Sequence, residues 1–334
     1  MDRKLGGILE IYEKFQGVDP RDHPMKIFPA VHYSMGGLWA DYERTAEGGL
    51  QPGSPRNHMT NIPGLFAIGE CDYQYHGGNR LGANSLLSCI FTGLFVGPGV
   101  KSWLNALPGG TCNDLPSSVY EQAVSCHQEN HDAMLAQTDG GENAYMLHQE
   151  LGNIMTSAAT VVRKNDQLDN AIEVVNDLAE RAKRCSITDA GQWTNQNVVF
   201  TKALMDMFPL AKTLLKGARN RDECRGAHYK PEFQLPGVDA EDATERKRQA
   251  EAWCDRFEEN NRKWLKTTVA NWKGDQPELT YEDVDTESIP PRPRLYGIVG
   301  GDVITETWNE RQAKRQQNSE NGSASTTQKV ATHS

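Results

Sequence analysis

Residues 62–87 read IPGLFAIGECDYQYHGGNRLGANSLL, and the rest of the chain is best read outward from them. A Pro-Gly turn leads into a short apolar run, Leu65 to Ile68, which Gly69 ends; that is the pattern of a brief strand. Glu70 then places a carboxylate at the strand end. Further on, Gly77, Gly78 and Gly82 surround Arg80 and let the backbone come close to whatever the guanidinium grips. A planar guanidinium holds a carboxylate through two parallel charge-assisted bonds, so Arg80 is a candidate for carboxylate binding. Asn84 and Ser85 suit a turn entering a helix. Residues 85–96, SLLSCIFTGLFV, are nearly all apolar, so this helix is expected to be buried on most faces. The free N–H groups of its first turn, at Asn84, Ser85 and Leu86, point out of the helix start.

Upstream, residues 32–37 read HYSMGG. His32 can offer a hydrogen bond or a positive charge, and Tyr33 is read as packing. His76 lies close to Arg80 in sequence and borders the same stretch. Downstream, residues 117–137, 142–157, 167–184 and 197–217 read as helices. In the third, Leu168, Ala171, Ile172, Val175 and Leu178 recur at three- and four-residue spacing. Together these predict a small antiparallel bundle. Residues 239–264 are highly charged and predicted helical, and residues 279–284 predict a short strand or an extended segment. Successive prolines keep residues 289–294 extended. From Asn309 the chain is rich in Gln, Ser, Asn and Thr and reads as a disordered tail.

The chain has 334 residues, with 35 Lys plus Arg against 45 Asp plus Glu and a formal net charge of −10. That balance argues against a nucleic-acid partner. No stretch approaches the roughly 18 apolar residues expected of a membrane span. The seven cysteines, at 71, 89, 112, 126, 185, 224 and 254, form no CxxC pair. A metal site built by this chain alone is therefore not expected.

The ordered segments HYSMGG (32–37), IPGLFAIGE (62–70) and RLGANSLL (80–87) resemble the succinate dehydrogenase/fumarate reductase flavoprotein family. RDECRGAH (221–228) is similar to that family's RxESRGAH segment, with Asp222 and Cys224 as departures. WLKTT (264–268) and TYEDV (280–284) resemble its C-terminal region. The resemblance implies an α/β remnant of a Rossmann-like FAD-binding domain over 1–110, then an α-helical bundle domain over 115–235. A small mixed C-terminal domain over 236–308 and the tail over 309–334 follow.

For the site, the resemblance implies that Arg80 and His32 hold the two carboxylates of succinate or fumarate. It implies that Glu70 meets the FAD ribityl chain, and that the backbone at Asn84, Ser85 and Leu86 faces the flavin. Arg221, Glu223, Arg225 and His228 are read as an ion-pair network with a structural role. The implied partners are an iron–sulfur subunit and, through the complex, a membrane anchor subunit. The implied location is the cytoplasmic inner face of the cell membrane. Because no GxGxxG fingerprint follows an N-terminal strand, the chain is expected to be the family's C-terminal portion, lacking the FAD-binding half and inactive alone. The alternatives are an L-aspartate oxidase-like flavoenzyme and a non-catalytic interaction module.

Overall fold

Apolar side chains at helical spacing build the best-packed part of this protein, whose computed structural model describes residues 2–26, 31–109, 115–189, 191, 193–286, 289–295 and 297–331. Cys112 lies outside the described residues. The chain divides into two compact units, Met1–Ala106 and Leu107–Ser334.

In the second unit, α3 (Ser117–Ala136), α4 (Ala144–Ala159), α5 (Asn165–Ala182) and α6 (Gln196–Asn220) follow in order. The stripe Leu168, Ala171, Val175, Leu178 and Ala182 faces Leu147 and Leu151 of α4 and Leu204, Phe208, Ala211 and Leu215 of α6. Burying each large aliphatic side chain here stabilises by about 1.5–3 kcal/mol. Asn143 caps α4 by accepting from the Tyr145 and Met146 N–H groups, and Asn195 caps α6 through Val198 N–H. Each satisfies donors that a helix start otherwise leaves open. Among its described residues α3 buries none.

The charged segment forms α7 (Ala243–Trp264), capped by Asp242. It leads into β1 (Lys266–Lys273) and β2 (Gln276–Asp283), an antiparallel pair in the register Lys266↔Asp283 to Lys273↔Gln276. Gly274, at φ +61°, opens the two-residue loop between them, where a side chain would be strained. The sequence reading found the second strand and left its partner unassigned.

Helix α8 spans Gly301–Ala331, which differs from the disordered tail expected from residue 309. Ile304 and Trp308 are buried against Ala250, Trp253 and Cys254 of α7. Ion pairs extend the contact: Arg246–Asp302, Lys247–Glu310, Arg311 with Glu251 and Asp255, and Arg315–Glu258. This parallel ladder carries the helix into a stretch whose composition alone suggested no packing. Residues 332–334 of that stretch lie outside the described residues.

Among its described residues the first unit holds α1 (Asp2–Gln16), α2 (Asn84–Ala106) and one 3-10 turn, Gly69–Cys71. Between the helices the described backbone makes isolated bridges: Leu38↔Asp72 parallel, and Arg44↔Leu50 and Met59↔Phe66 antiparallel. Among the described residues the β1–β2 pair is the only sheet. The observed architecture is therefore mostly helical with a small C-terminal hairpin.

Helix α2 departs from expectation twice. It is 23 residues long and apolar enough, by length and composition, to cross a membrane. Its interspersed Gly, Ser and Thr hid this from a search for unbroken apolar residues. It is also not buried on most faces. The residues it buries are Ser88, Thr92 and Gly99, while Leu86, Leu87, Ile90 and Leu94 are exposed. Its polar, small-residue face is the one that packs, because that face supplies hydrogen bonds to the loops described next.

Candidate functional site

Three loop segments and the start of α2 converge in Met1–Ala106. The 32–37 segment is tied to the 69–72 turn by backbone contacts. Leu38 N–H donates to Cys71 O at 2.7 Å, and Ser34 N–H donates to Glu70 Oε1 at 2.8 Å. Gly37 permits this approach, since a Cβ there would collide with the Cys71 carbonyl. The turn is in turn fixed to α2, where Thr92 Oγ1 accepts from Gly69 N–H at 3.0 Å. Glu70 is thus held by its neighbours while remaining exposed.

Tyr33 is buried between exposed neighbours His32 and Ser34. Its hydroxyl lies 3.2 Å from Ser88 Oγ on α2. The edge of its ring meets His76 at a centroid distance of 4.9 Å, and the Arg80 guanidinium sits over its face at 5.8 Å. Tyr33 therefore brings the His32 segment, His76 and Arg80 together. Burial first, then the Arg80 charge, pushes the His76 imidazole below the ordinary histidine range.

Arg80 is half-buried. Its Nη1 donates to Leu81 O at 3.2 Å, and its Nε is buried with no partner. Among the described residues it forms no ion pair. A buried, unsatisfied N–H on a cation is costly unless an acceptor meets it. The His32 side chain likewise makes no hydrogen bond or ion pair with a described residue. Asn84 and Ser85 are half-buried and Leu86 is exposed. Helix α2 begins at Asn84 directly after Ala83, which has φ +65°, and no acidic residue occupies its first turn. The helix start therefore offers N–H donors and its partial positive charge without an internal carboxylate to absorb them.

Sequence reading missed a second layer. His58 and Asp72 are both buried, with His58 Nδ1 2.9 Å from Asp72 Oδ2. His58 Nε2 lies 3.2 Å from the Tyr75 hydroxyl, and Asp72 Oδ1 accepts from Gln74 N–H. Burial, reinforced by the Asp72 charge, raises the Tyr75 phenol above its ordinary value. These contacts fix the segment just beyond Glu70. The adjacency of Asp72 to the Gly-Glu-Cys turn was the one available signal, and nothing in the sequence paired it with His58.

The RDECRGAH cluster lies in the other unit. Glu223 is buried between Arg221 (2.6 Å) and Arg225 (2.8 Å). Arg221 also donates to Trp264 O and Lys266 O, joining the end of α6 to the hairpin. His228 Nε2 lies 2.8 Å from Arg221 O, and Nδ1 lies 2.7 Å from Arg163 Nη1. That pattern gives a neutral imidazole, donating at Nε2 and accepting at Nδ1. Burial is the main cause that pushes its pKa down to about 4. The cluster's groups are paired with one another and with the backbone, which is the arrangement of a structural joint.

Two family models match the chain: "FAD binding domain" over residues 1–86 and "Fumarate reductase flavoprotein C-term" over residues 148–296. The likeness is to succinate dehydrogenase and fumarate reductase flavoproteins. The chain is 46% identical over 298 residues to the succinate dehydrogenase flavoprotein subunit of Bacillus subtilis, covering 89% of this chain and 44% of that protein. It is 30% identical over 299 residues to the fumarate reductase flavoprotein subunit of Escherichia coli, covering 89% and 43%. Its fold aligns with a solved E. coli quinol fumarate reductase chain at a TM-score of 0.67 and 28% identity, covering 89% of this chain and 45% of that one. The chain thus spans less than half the length of the relatives it matches.

The match over residues 1–86 overturns the expectation that the FAD-binding half is lacking. That expectation rested on one absent glycine fingerprint. The residues matched to the FAD-binding domain include the segments that carry Glu70 and Arg80. FAD is accordingly the cofactor this region points to.

Proposed function

We propose that this chain carries the dicarboxylate-facing side of a flavoprotein that interconverts succinate and fumarate. The observation that supports it best is Arg80: a cation with a buried, partnerless Nε, no carboxylate partner among the described residues, and a seat beside a helix start. Buried charge of this kind calls for a counter-charge, and a carboxylate supplies one with matching geometry. His32, exposed and without a hydrogen-bond or ion-pair partner among the described residues, provides the second contact needed by a ligand with two carboxylates.

The residues present fit FAD. Glu70 is exposed and directed by Ser34 N–H, so its carboxylate can accept from the hydroxyls of a ribityl chain. The Asn84 N–H already donates to Leu81 O at 3.3 Å, so the first-turn N–H groups of Ser85 and Leu86 are the ones that suit a ring carbonyl that gathers negative charge on reduction. When bound, FAD supplies the two-electron acceptor and the chain orients and polarises the substrate. In this reading Met1–Ala106 is part of a Rossmann-like flavin domain. Electrons leave to an iron–sulfur subunit, and a membrane anchor subunit holds the assembly at the cytoplasmic face of the membrane.

The test is succinate binding by calorimetry to the chain and to Arg80→Lys at matched flavin content. Lysine keeps the charge and loses the bidentate fork. The expected result is unchanged FAD content and affinity weaker by roughly two orders of magnitude, about 3 kcal/mol. Near-equal affinity places the carboxylate site elsewhere.

A further inference from the structure

Arg80 is useful as a clamp only if its guanidinium presents one chosen edge. The structure accounts for its surroundings almost completely. One tip, Nη1, is engaged by Leu81 O at 3.2 Å. Its central carbon Cζ lies over the Tyr33 ring, 5.8 Å from the centroid. The edge formed by Nε and Nη2 is left over: Nε is buried without a partner, and Nη2 has none among the described residues. Elsewhere in the same unit, Arg56 uses this edge on a carboxylate, with Nε and Nη2 donating to Asp41 at 2.7 and 3.0 Å.

What holds the Tyr33 ring is equally defined. Ser88 Oγ donates its one proton to Ser85 O at 2.8 Å. Toward its other two neighbours it can then only accept. Tyr33 O–H and His76 Nε2–H both lie 3.2 Å from it and are the donors. This assigns the His76 tautomer and leaves no buried polar atom of the trio open. The ring is 7% exposed, so it cannot swing away without breaking these contacts.

We propose that Tyr33, anchored by Ser88 and His76, is a positioning residue for Arg80, its ring setting the guanidinium so that the Nε/Nη2 edge receives a carboxylate of the dicarboxylate. The proposal rests on the reading of Arg80 as the carboxylate clamp. It goes beyond that reading in naming the edge used and the residue that sets it. Tyr33 touches neither substrate nor flavin in this scheme. Its contribution is cation–π attraction and restriction of a flexible side chain, which together raise affinity by reducing the ordering cost on binding.

The experiment follows the Arg80 Nε–H signal by nitrogen-15 NMR in the full chain, assigned by its loss in Arg80→Lys, during titration with succinate. In the unsubstituted chain and in Tyr33→Phe, which keeps the ring, the ligand-free signal is displaced by the ring and exchanges slowly. Succinate then moves it further as the charge-assisted bond forms. Tyr33→Leu abolishes the displacement and weakens succinate about tenfold, the scale of a partly desolvated cation–π contact. Ser88→Ala keeps the ring, frees its hydroxyl, and gives a smaller loss of about threefold on the same scale.

The proposal is overturned if Tyr33→Leu changes neither signal nor affinity. It is also overturned if Tyr33→Phe loses as much as Tyr33→Leu, because the effect then belongs to the hydroxyl and general packing. If Tyr33→Leu fails to fold, the Ser88→Ala and Tyr33→Phe signals decide between the same outcomes. If the unsubstituted chain binds no succinate, the functional reading fails, and the ligand-free Nε–H position still decides whether Tyr33 sets the guanidinium.

Discussion

The two units of this chain bury different things. In Leu107–Ser334, fifteen buried residues from α4, α5, the turn after α5 and α6 form one apolar cluster. Among the described residues of Met1–Ala106 the buried apolar or aromatic side chains are Leu9, Tyr33, Ala40 and Ala67, against a larger polar set of Ser54, Asn57, His58, Thr60, Asp72, Ser88 and Thr92. Apolar burial is non-directional and tolerates small shifts. A hydrogen-bonded interior fixes each group at a set distance and angle. The first unit is therefore organised for placing side chains, and the second for holding helices together.

This contrast can be broken from either side. The largest effect is expected from Leu178→Ala. Leu178 is fully buried at the centre of the α5 stripe, so the substitution should destabilise the second unit by about 4 kcal/mol through lost burial and an unfilled cavity. Hydrogen exchange read by region should show α4–α6 opening, with protection around Gly69 and Thr92 unchanged. Equal loosening in both units would mean the division is not energetic.

The next effect concerns pH. His228 has an ordinary unfolded pKa near 6.5 and a folded value of about 4. The folded state disfavours its proton, so the unfolded chain binds more protons between these values and stability rises with pH there. The contribution is fully present above about pH 6.5 and is lost progressively as pH falls toward 4. It amounts to on the order of 3 kcal/mol. Denaturant midpoints of the unsubstituted chain and His228→Gln across this range should diverge, with the glutamine variant showing the flatter profile. Parallel profiles would remove His228 from the account.

The smallest of the three sharpens the polar side. Asp72→Asn keeps the size and one acceptor but loses the charge on the buried His58 contact, at a cost of about 2 kcal/mol. Exchange should quicken at Leu38 N–H and Asp72 N–H, which bond to the Gly69–Cys71 turn, while α5 stays protected. Loss confined to α5 would contradict the picture of a polar lattice supporting Glu70.

What could be read in advance follows the same division. The helix α5 is visible in Leu168, Ala171, Val175 and Leu178 because apolar burial writes its period into the sequence. Residues 279–284 announce strand β2 through their composition, whereas β1 contains Lys266, Asn271 and Lys273 and is defined by pairing. The tail after Asn309 was misread because the contacts that carry α8 come from α7, far away in sequence. For α2 the composition revealed apolarity and not which face would pack. At the site, Arg80 stands out by its glycine-rich setting and Glu70 by following the apolar run Leu65–Ile68, which reads as a strand and in the structure makes only an isolated bridge at Phe66 before the Gly69–Cys71 turn. The His58–Asp72 pair, and Tyr33 as more than packing, depend on distances between segments that no single stretch encodes.

Lys230 offers a different use of the structural joint in the second unit. Its side chain is 1% exposed, and its ammonium donates to Asn165 Oδ1, Arg219 O and Asp222 Oδ1 at 2.7, 3.0 and 2.9 Å. All three donors are occupied by oxygens from the start of α5, the end of α6 and the residues just after α6. An amine in that state has no free lone pair and no path to a reagent, so in the folded protein it is silent to acylating labels that mark surface lysines. Each labelling event at Lys230 must be preceded by an opening of the connection between α6 and α7. The rate at which it acquires a label is thus a clock for that opening, built from a native side chain and needing no added probe.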